Sequence, residues 1–324
     1  MLRVLLTDYA WPDLGIERGI LRKAGAELIV APQQDDQTLS RLAADCDAVM
    51  TNWAKVTESV IAVAQQCKII SRLGIGLDNI DVAAATRRGI VVTNVPDYCV
   101  IEVAEHALAL LLSLSRKIAF YHQETKSGRY SLQDGPALRR IEGQNLGIVG
   151  LGNIGRRLAE KAIALKMRVL TSGRTQKRQQ DLPSGVEWCE FDQLIQNSDY
   201  ISLHVPLTPE TKHMMGARQF ALMKPTAYLI NTSRGGLIDQ MALAAALQAG
   251  QLAGAALDVQ DPEPPDLTQP PFNDCRVIVT PHAAFVSIES LENLRSRTAR
   301  QVATCLQGGV PENVVNPEVL RRRE

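Results

Sequence analysis

The chain has 324 residues, of which 45% are hydrophobic, 22% charged and only 4% aromatic, with 35 basic side chains against 35 acidic ones. That length suits two domains, each large enough to bury a core of its own. A formal net charge of zero excludes the basic footprint of a nucleic-acid or anionic-membrane binder, and Arg321, Arg322 and Arg323 read as a solvated tail.

From the first residue, short β-branched or aliphatic runs alternate with segments of helical period, the pattern of βαβ units around a parallel sheet. Val4 to Thr7, Leu28 to Ala31, Ala48 to Thr51, Ile69 to Leu73 and Ile90 to Thr93 read as five strands, enough for a small doubly wound domain. The opening Met1 to Asp8 reads as a buried strand and not as an export leader, so a cytoplasmic protein is expected. Asn94-Val95-Pro96-Asp97 breaks the pattern. A long helix from about Ile101 to Lys126, stopped by Ser127-Gly128, is the expected crossing between domains. Its apolar run from Ala107 to Leu112 is closed by Ser113, Ser115, Arg116 and Lys117, far short of the roughly 20 residues that span a bilayer. The row Ala104, Leu108, Leu111, Leu112 and Leu114 suits either a subunit interface or a helix buried within one chain.

A second series follows: Leu146 to Gly150, Arg168 to Ser172, Tyr200 to His204, Ala227 to Asn231, Ala255 to Val259 and Val277 to Thr280, for a six- or seven-stranded doubly wound domain. The chain turns helical again from about Ser287 to Leu306, and Pro311 to Glu324 read as irregular. The fold class is therefore α/β, with two doubly wound parallel-sheet domains. Cysteines at 46, 67, 99, 189, 275 and 305 show no CxxC spacing, which argues for reduced thiols and against a zinc site or disulfide framework. They read as small buried hydrophobes, and no metal is expected.

Gly150-Leu151-Gly152-Asn153-Ile154-Gly155 directly follows the strand Leu146-Gly147-Ile148-Val149 and opens a helical pattern through Arg156, Ala159 and Ile163. In that strand-turn-helix context the glycines permit a tight turn and close backbone approach, and the helix start offers amides to a pyrophosphate. An acidic residue about 20 positions on would accept from a ribose 2′-OH. The run here is Ser172-Gly173-Arg174-Thr175-Gln176-Lys177-Arg178, without a carboxylate. Arg174 offers a guanidinium fork, Ser172 and Thr175 hydroxyls, and Lys177 or Arg178 further charge, which suits a 2′-phosphate. NADP(H) is the cofactor expected, with NAD(H) the alternative.

Three polar features follow the last strands: Asn231 to Gly236 with Arg234, Asp258 to Pro264 with Glu263, and Thr280 to Phe285 with His282. Ligands of open α/β sheets bind outside the carboxyl ends of the strands. An imidazole can exchange a proton near neutral pH, a carboxylate can orient it, and a guanidinium can clamp a substrate carboxylate. Of the other histidines, His106 beside Glu105 reads as core or hinge packing. His204 suits cofactor contact, and His122 and His213 read as surface or helix-end residues.

With Arg72-Leu73-Gly74-Ile75-Gly76-Leu77-Asp78-Asn79-Ile80-Asp81, His204-Val205-Pro206-Leu207-Thr208 and Pro281-His282, these motifs cover nearly the whole length. The chain closely resembles the D-isomer-specific 2-hydroxyacid dehydrogenases. The resemblance implies a Rossmann dinucleotide-binding domain, residues 99–287, inserted into a flavodoxin-like substrate domain, residues 1–98 with 288–324. It implies that Arg234 binds the substrate carboxylate and carbonyl, that His282 is the general acid in reduction, and that Glu263 raises the pKa of His282. Leu73, Gly74, Ile75 and Gly76 would hold the carboxylate, with Trp53 and Phe285 also at the substrate. His204, Val205, Pro206, Thr211, Thr232, Ser233, Asp258, His282 and Ala284 would line the cofactor.

NAD-using members mostly carry Asp where Gly173 stands, so at that point the chain resembles the NADPH-linked glyoxylate and hydroxypyruvate reductases. Phe285 resembles the lactate-type and C-terminal-binding-protein branches, and Asn94 to Cys99 the phosphoglycerate-dehydrogenase-like and corepressor-like members. The activity expected is reduction of a small 2-oxo acid to its D-2-hydroxy acid by a homodimer, without nucleic-acid or membrane partners. The alternatives are an NAD-linked phosphoglycerate-type dehydrogenase and a dinucleotide-sensing binding protein.

Overall fold

A computed structural model describes residues 1–133, 135–174 and 179–322. The chain divides into two compact units, Met1–Tyr98 with Ser287–Glu324, and Cys99–Val286.

The first unit carries strands β1 (Leu2–Leu6), β2 (Ala26–Val30), β3 (Ala48–Thr51), β4 (Ile69–Arg72) and β5 (Val91–Thr93) in the order β2-β1-β3-β4-β5, every pair parallel. Because crossover helices cover both faces, β3, β4 and β5 are buried along their whole length and read as apolar runs without alternation. Helices α2 (Asp36–Ala43), α3 (Glu58–Val63) and α4 (Val82–Arg87) bury Leu39, Val60, Ile61, Ala84 and Ala85 against Leu5, Val49, Ile70 and Val92. Asp35 caps α2 by accepting from the Thr38 amide and Asp81 caps α4 through the Ala84 amide, each satisfying a donor left over at the helix start.

Helix α11 (Ile288–Leu306) packs on β3, β4 and helix α1 (Gly15–Lys23). The joint to α1 is ionic and buried. Arg295 donates Nε to Glu17 Oε1 at 2.7 Å and Nη2 to Glu17 Oε2 at 2.9 Å, with the Asp13 carbonyl at 2.7 Å and the Trp11 ring 5.4 Å from the guanidinium carbon. The C-terminal segment is more regular than its composition suggests. Asn316 accepts from the Val92 amide at 2.8 Å and donates to the Ile90 carbonyl at 2.9 Å, Val315 donates to the Val92 carbonyl, and Pro317–Arg322 forms 3₁₀ turns.

The second unit is a seven-stranded parallel sheet of order β12-β11-β10-β9-β6-β7-β8. Its strands are β6 (Asn145–Val149), β7 (Arg168–Ser172), β8 (Val186–Trp188), β9 (Tyr200–Leu203), β10 (Tyr228–Asn231), β11 (Gly254–Leu257) and β12 (Val277–Val279). Helices α5 (Val100–Arg116) and α7 (Asn153–Ala164) cover one face, with Leu110, Leu111, Leu114 and Leu158 on Leu146, Ile148 and Tyr200. Each fully buried leucine there contributes about 1.5–3 kcal/mol. Helices α8 (Phe191–Asn197), α9 (Ala217–Leu222) and α10 (Gln240–Gln248) cover the other through Leu194, Phe220 and Leu243.

The crossing helix is two helices. Lys117 takes the left-handed conformation at φ 55°, ending α5, and α6 (Ile118–Lys126) starts on a new axis. Lys117 Nζ stands 4.5 Å from the Tyr228 ring centroid, a cation–π contact that offsets the conformational cost. The apolar row on α5 is resolved as intramolecular, since Ala104, Leu111 and Leu114 are buried on the sheet, whereas α6 buries nothing. Of the cysteines, 46, 67, 99 and 305 are buried, Cys189 is half-buried and Cys275 is exposed. No helix among the described residues is long and apolar enough to cross a membrane.

Removing one partner of a buried ion pair strands the other charge, at a cost of about 3–5 kcal/mol. Glu17→Ala is therefore expected to lower the first unit's stability by that much, and Glu17→Leu with Arg295→Leu to recover most of it. Denaturant midpoints check this.

Candidate active site

The Gly150 to Gly155 turn leaves β6 and opens α7. Gly150 has φ +96°, and a side chain there would put its Cβ 2.5 Å from the His204 carbonyl oxygen; at Gly155 the Cβ would come 2.3 Å from the Gly150 oxygen. The turn can close only without those carbons. Gly152 is the cap residue of α7; it offers no side-chain acceptor to the first-turn amides of Asn153 and Ile154, and a Cβ there would meet nothing within 4 Å. A helix start with no acidic residue in its first turn and no side-chain cap has the chemistry to receive an anion.

Two buried polar atoms stand at neighbouring strand ends without a protein partner among the described residues, His204 Nδ1 after β9 and Thr232 Oγ1 after β10. His204 Nε2 lies 2.8 Å from Ser202 Oγ, and burial pushes its pKa down to about 4, so the ring is neutral. Val205 leans toward Gly150. Thr211 donates its hydroxyl to the Pro206 carbonyl at 2.7 Å and Ser233 donates its own to the Leu203 carbonyl at 2.7 Å, so both brace their loops. At the end of β7, Ser172 is buried and Gly173 and Arg174 are exposed. Glu210 is held below the usual carboxylate range by the Thr208 hydroxyl first and its own backbone amide next; the charge of Arg174 adds to this. Thr175, Lys177 and Arg178 lie outside the described residues. A dinucleotide fits these features: its pyrophosphate the helix start, and its polar groups the two buried atoms that lack a protein partner among the described residues.

The three polar features after β10, β11 and β12 meet. Gly235 lets the Arg234 segment lie against the next loop, since its Cβ would come 2.0 Å from the Gln260 carbonyl carbon. Glu263 accepts the Gln260 amide on Oε1 at 2.9 Å and faces His282 Nδ1 with Oε2 at 2.8 Å. Burial alone would raise the Glu263 carboxyl, but the His282 hydrogen bond and charge, the Gln260 amide and the nearby Arg234 charge outweigh it and hold it low. An ionised Glu263 accepts a hydrogen bond from Nδ1–H of His282, which leaves Nε2 as the ring nitrogen not engaged by that carboxylate. Phe285 packs edge-on to the His282 ring, centroids 6.0 Å apart.

His282 sits in the left-handed region at φ 53°, and Asp258 holds it there. The Asp258 carbonyl accepts the His282 amide at 2.8 Å, and its carboxylate takes the Ala283 and Ala284 amides at 2.9 Å each and the Thr280 hydroxyl at 2.5 Å. His106, which the sequence assigns to packing, instead places Nε2 3.1 Å from Thr280 Oγ1 and 3.5 Å from Asp258 Oδ1. His106 and Thr280 are 174 positions apart, and no motif signals the contact. His122 and His213 are exposed.

In the first unit, Leu73, Gly74, Ile75 and Gly76 form the loop after β4. The Gly74 carbonyl accepts the Val95 amide at 3.1 Å, and the Asn94 side chain donates to the Ile75 carbonyl at 2.7 Å. Trp53 is partly exposed on the loop after β3, which buried Asp8 fastens by accepting the Asn52, Trp53 and Ala54 amides at 3.0, 2.7 and 3.1 Å. Sequence reasoning missed Asp8, whose one signal is a carboxylate at the end of an apolar strand. No metal-binding cluster of His, Cys, Asp or Glu occurs among the described residues.

The family model described as "D-isomer specific 2-hydroxyacid dehydrogenase, NAD binding domain" matches residues 108–284. The chain is 38% identical over 285 residues to a glyoxylate reductase of Korarchaeum cryptofilum, covering 86% of this chain and 85% of that one. It is 38% identical over 320 residues to a D-3-phosphoglycerate dehydrogenase of Methanocaldococcus jannaschii, covering 98% of this chain but 60% of that longer one. Among solved structures, D-lactate dehydrogenase from Aquifex aeolicus complexed with NAD and lactic acid superimposes with a TM-score of 0.87 at 29% identity, covering 97% of this chain and 99% of that one.

A carboxyl held low in the folded state binds its proton later than in the unfolded chain. Its stabilisation is complete above the ordinary carboxylate range and is lost as pH falls through the folded value. The stability difference between wild type and Glu263→Gln is therefore expected near neutral pH and to close in acid, read from denaturation midpoints across that range.

Proposed function

Because this chain belongs to the D-isomer specific 2-hydroxyacid dehydrogenase family, and is thus an oxidoreductase acting between 2-oxo and 2-hydroxy acids, we propose that it is an NADPH-linked reductase of a small 2-oxo acid, glyoxylate or hydroxypyruvate. The observation that carries this reading is the 2.8 Å contact between Glu263 and His282 Nδ1 beside the charge of Arg234. His282 gives its Nε2 proton to the carbonyl oxygen as charge develops there, and Glu263 fixes the ring and stabilises the imidazolium. Arg234 clamps the substrate carboxylate and polarises the carbonyl. We assign Leu73, Gly74, Ile75, Gly76, Trp53 and Phe285 to substrate binding as well.

A bound reduced nicotinamide supplies the hydride. Gly150, Gly152, Asn153, Ile154 and Gly155 would hold its pyrophosphate, and Ser172, Gly173, Arg174 and Thr175 the adenosine end. His204, Val205, Pro206, Thr211, Thr232, Ser233 and Ala284 would line the remainder, with His282 at the reacting end, whereas Asp258, which the resemblance also places at the cofactor, is fully buried and braces the His282 segment instead. Preference for NADPH rests on a strand end that carries a guanidinium and no carboxylate. The glyoxylate reductase relative supports the small substrate. The longer phosphoglycerate dehydrogenase relative supports the second reading, an NAD-linked enzyme, and the absence of that carboxylate argues against it. A pure dinucleotide sensor would not need the Arg234, Glu263 and His282 arrangement.

We also propose a cytoplasmic homodimer paired through α6 and the segment after it. Ile118 is 57% exposed, Tyr130 92% and Leu132 80%, a run of large apolar side chains left to water in a single chain.

Initial rates with glyoxylate, hydroxypyruvate, pyruvate and an aromatic 2-oxo acid, each with NADPH and NADH, test the first reading. The expected result is a large NADPH advantage on the small acids, lost in Arg174→Ala, with turnover in His282→Ala lower by about 10²–10⁴-fold. NADH preference would favour the second reading, and undiminished turnover in His282→Ala would remove His282 as the acid. Light scattering on the purified protein is expected to give twice the chain mass, reduced toward one chain by Tyr130→Asp with Leu132→Asp; a wild-type monomer would refute the dimer.

A further inference from the structure

We propose that His106 is a positioning residue for the reaction: through Thr280 and Asp258 it locks the segment that carries His282 in its reactive conformation. This rests on the reading of His282 as the proton donor.

The donors and acceptors around Thr280 fix the direction of the chain. Thr280 has one hydroxyl proton, and it goes to Asp258 Oδ1 at 2.5 Å, the charge-assisted partner. Its oxygen therefore has only lone pairs for His106 Nε2 at 3.1 Å, so Nε2 must carry a proton and donate. The same nitrogen lies 3.5 Å from Asp258 Oδ1. His106 thus places a donor beside a carboxylate with no exposure to water, where an under-satisfied charge is costly.

The consequence falls on His282. Asp258 accepts the Ala283 and Ala284 amides on its two carboxylate oxygens and the His282 amide on its carbonyl, and His282 is held at φ 53°, a conformation a side-chain-bearing residue keeps only when its surroundings dictate it. His106 itself is carried on α5, which packs against β10 and β11, so the donor is delivered by a rigid element to the strand end that bears Asp258. Without it, the Thr280 hydroxyl can rotate away, Asp258 loses its brace, and the His282 segment samples other arrangements. A misplacement of the order of 1 Å at a reacting group costs up to about 10²-fold in rate.

Four variants of the full chain decide the matter: His106→Leu, His106→Gln, whose side-chain amide nitrogen can take the place of Nε2, Thr280→Val, and the double variant His106→Leu with Thr280→Val. The kinetic readout is kcat and KM on the 2-oxo acid that wild type turns over; the second is amide hydrogen exchange across residues 280–286, which needs no substrate. His106→Leu is expected to lower kcat by about 10- to 100-fold with substrate KM within about twofold, and to speed exchange at Ala283 and Ala284. His106→Gln is expected to restore most of both, and Thr280→Val to reproduce His106→Leu, with the double variant no worse than either because the residues act in series. A His106→Leu enzyme with wild-type kcat and exchange overturns the proposal, as does a His106→Gln enzyme that is folded yet as slow as His106→Leu. Should wild type reduce no 2-oxo acid, the reductase reading fails separately, and unchanged exchange in His106→Leu still overturns this one. If His106→Leu does not fold, Thr280→Val takes its place, and wild-type exchange and rate in that variant refute the proposal.

Discussion

One buried carboxylate organises the ends of strands β11 and β12 in the second unit. Asp258 ends β11 out of reach of water, and the groups that satisfy it are the backbone and hydroxyl of the segment that leaves β12. A charge buried without partners would be expensive enough to unsettle the strand end, so the segment has to come to it. In coming, it turns His282 into the left-handed region and faces Nδ1 toward Glu263. The geometry of the proposed proton donor is thus a by-product of solvating a buried anion with protein groups, and Glu263 then needs only to select a tautomer that the backbone has already aimed.

Close backbone approach is the second constraint, and it operates at both halves of the site. Gly150 and Gly155 let the strand, the turn and α7 touch where a Cβ would sit inside van der Waals distance of a carbonyl, and Gly235 does the same where the Arg234 loop meets Gln260. These positions exclude side chains for opposite purposes. Around Gly150 the saved space lets the strand run straight into the start of α7, whereas at Gly235 it draws the Arg234 cation toward the Glu263 carboxylate.

Much of this was legible in the sequence because its signals are local. Apolar runs of four or five residues with turn chemistry between them mark a parallel sheet, and a glycine triplet at a strand end carries its own geometric meaning. What escaped was non-local or too short. β8 has three residues with Glu187 in the middle, so it breaks the apolar run that identifies its neighbours. The helix break at Lys117 uses neither Gly nor Pro, and its compensating contact, Tyr228, is far along the chain. Asp8 and His106 act on loops 44 to 46 and 174 positions away; in the sequence each is an ordinary polar residue next to an apolar stretch.

The tail that closes the five-stranded sheet adds a consequence in time. β5 is an edge strand whose unpaired backbone groups are met by Val314, Val315 and Asn316, so the first unit is finished only with residues from the far end of the chain. The second unit is continuous from Cys99 to Val286. As the chain leaves a ribosome, the later-synthesised unit therefore has all its strands before the earlier one has its last helix, and the order of completion is the reverse of the order of synthesis. Until α11 and the Asn316 segment emerge, the β5 edge stands open to strand pairing, which makes the interval between Val286 and Asn316 the period in which a nascent chain depends most on being shielded from its neighbours.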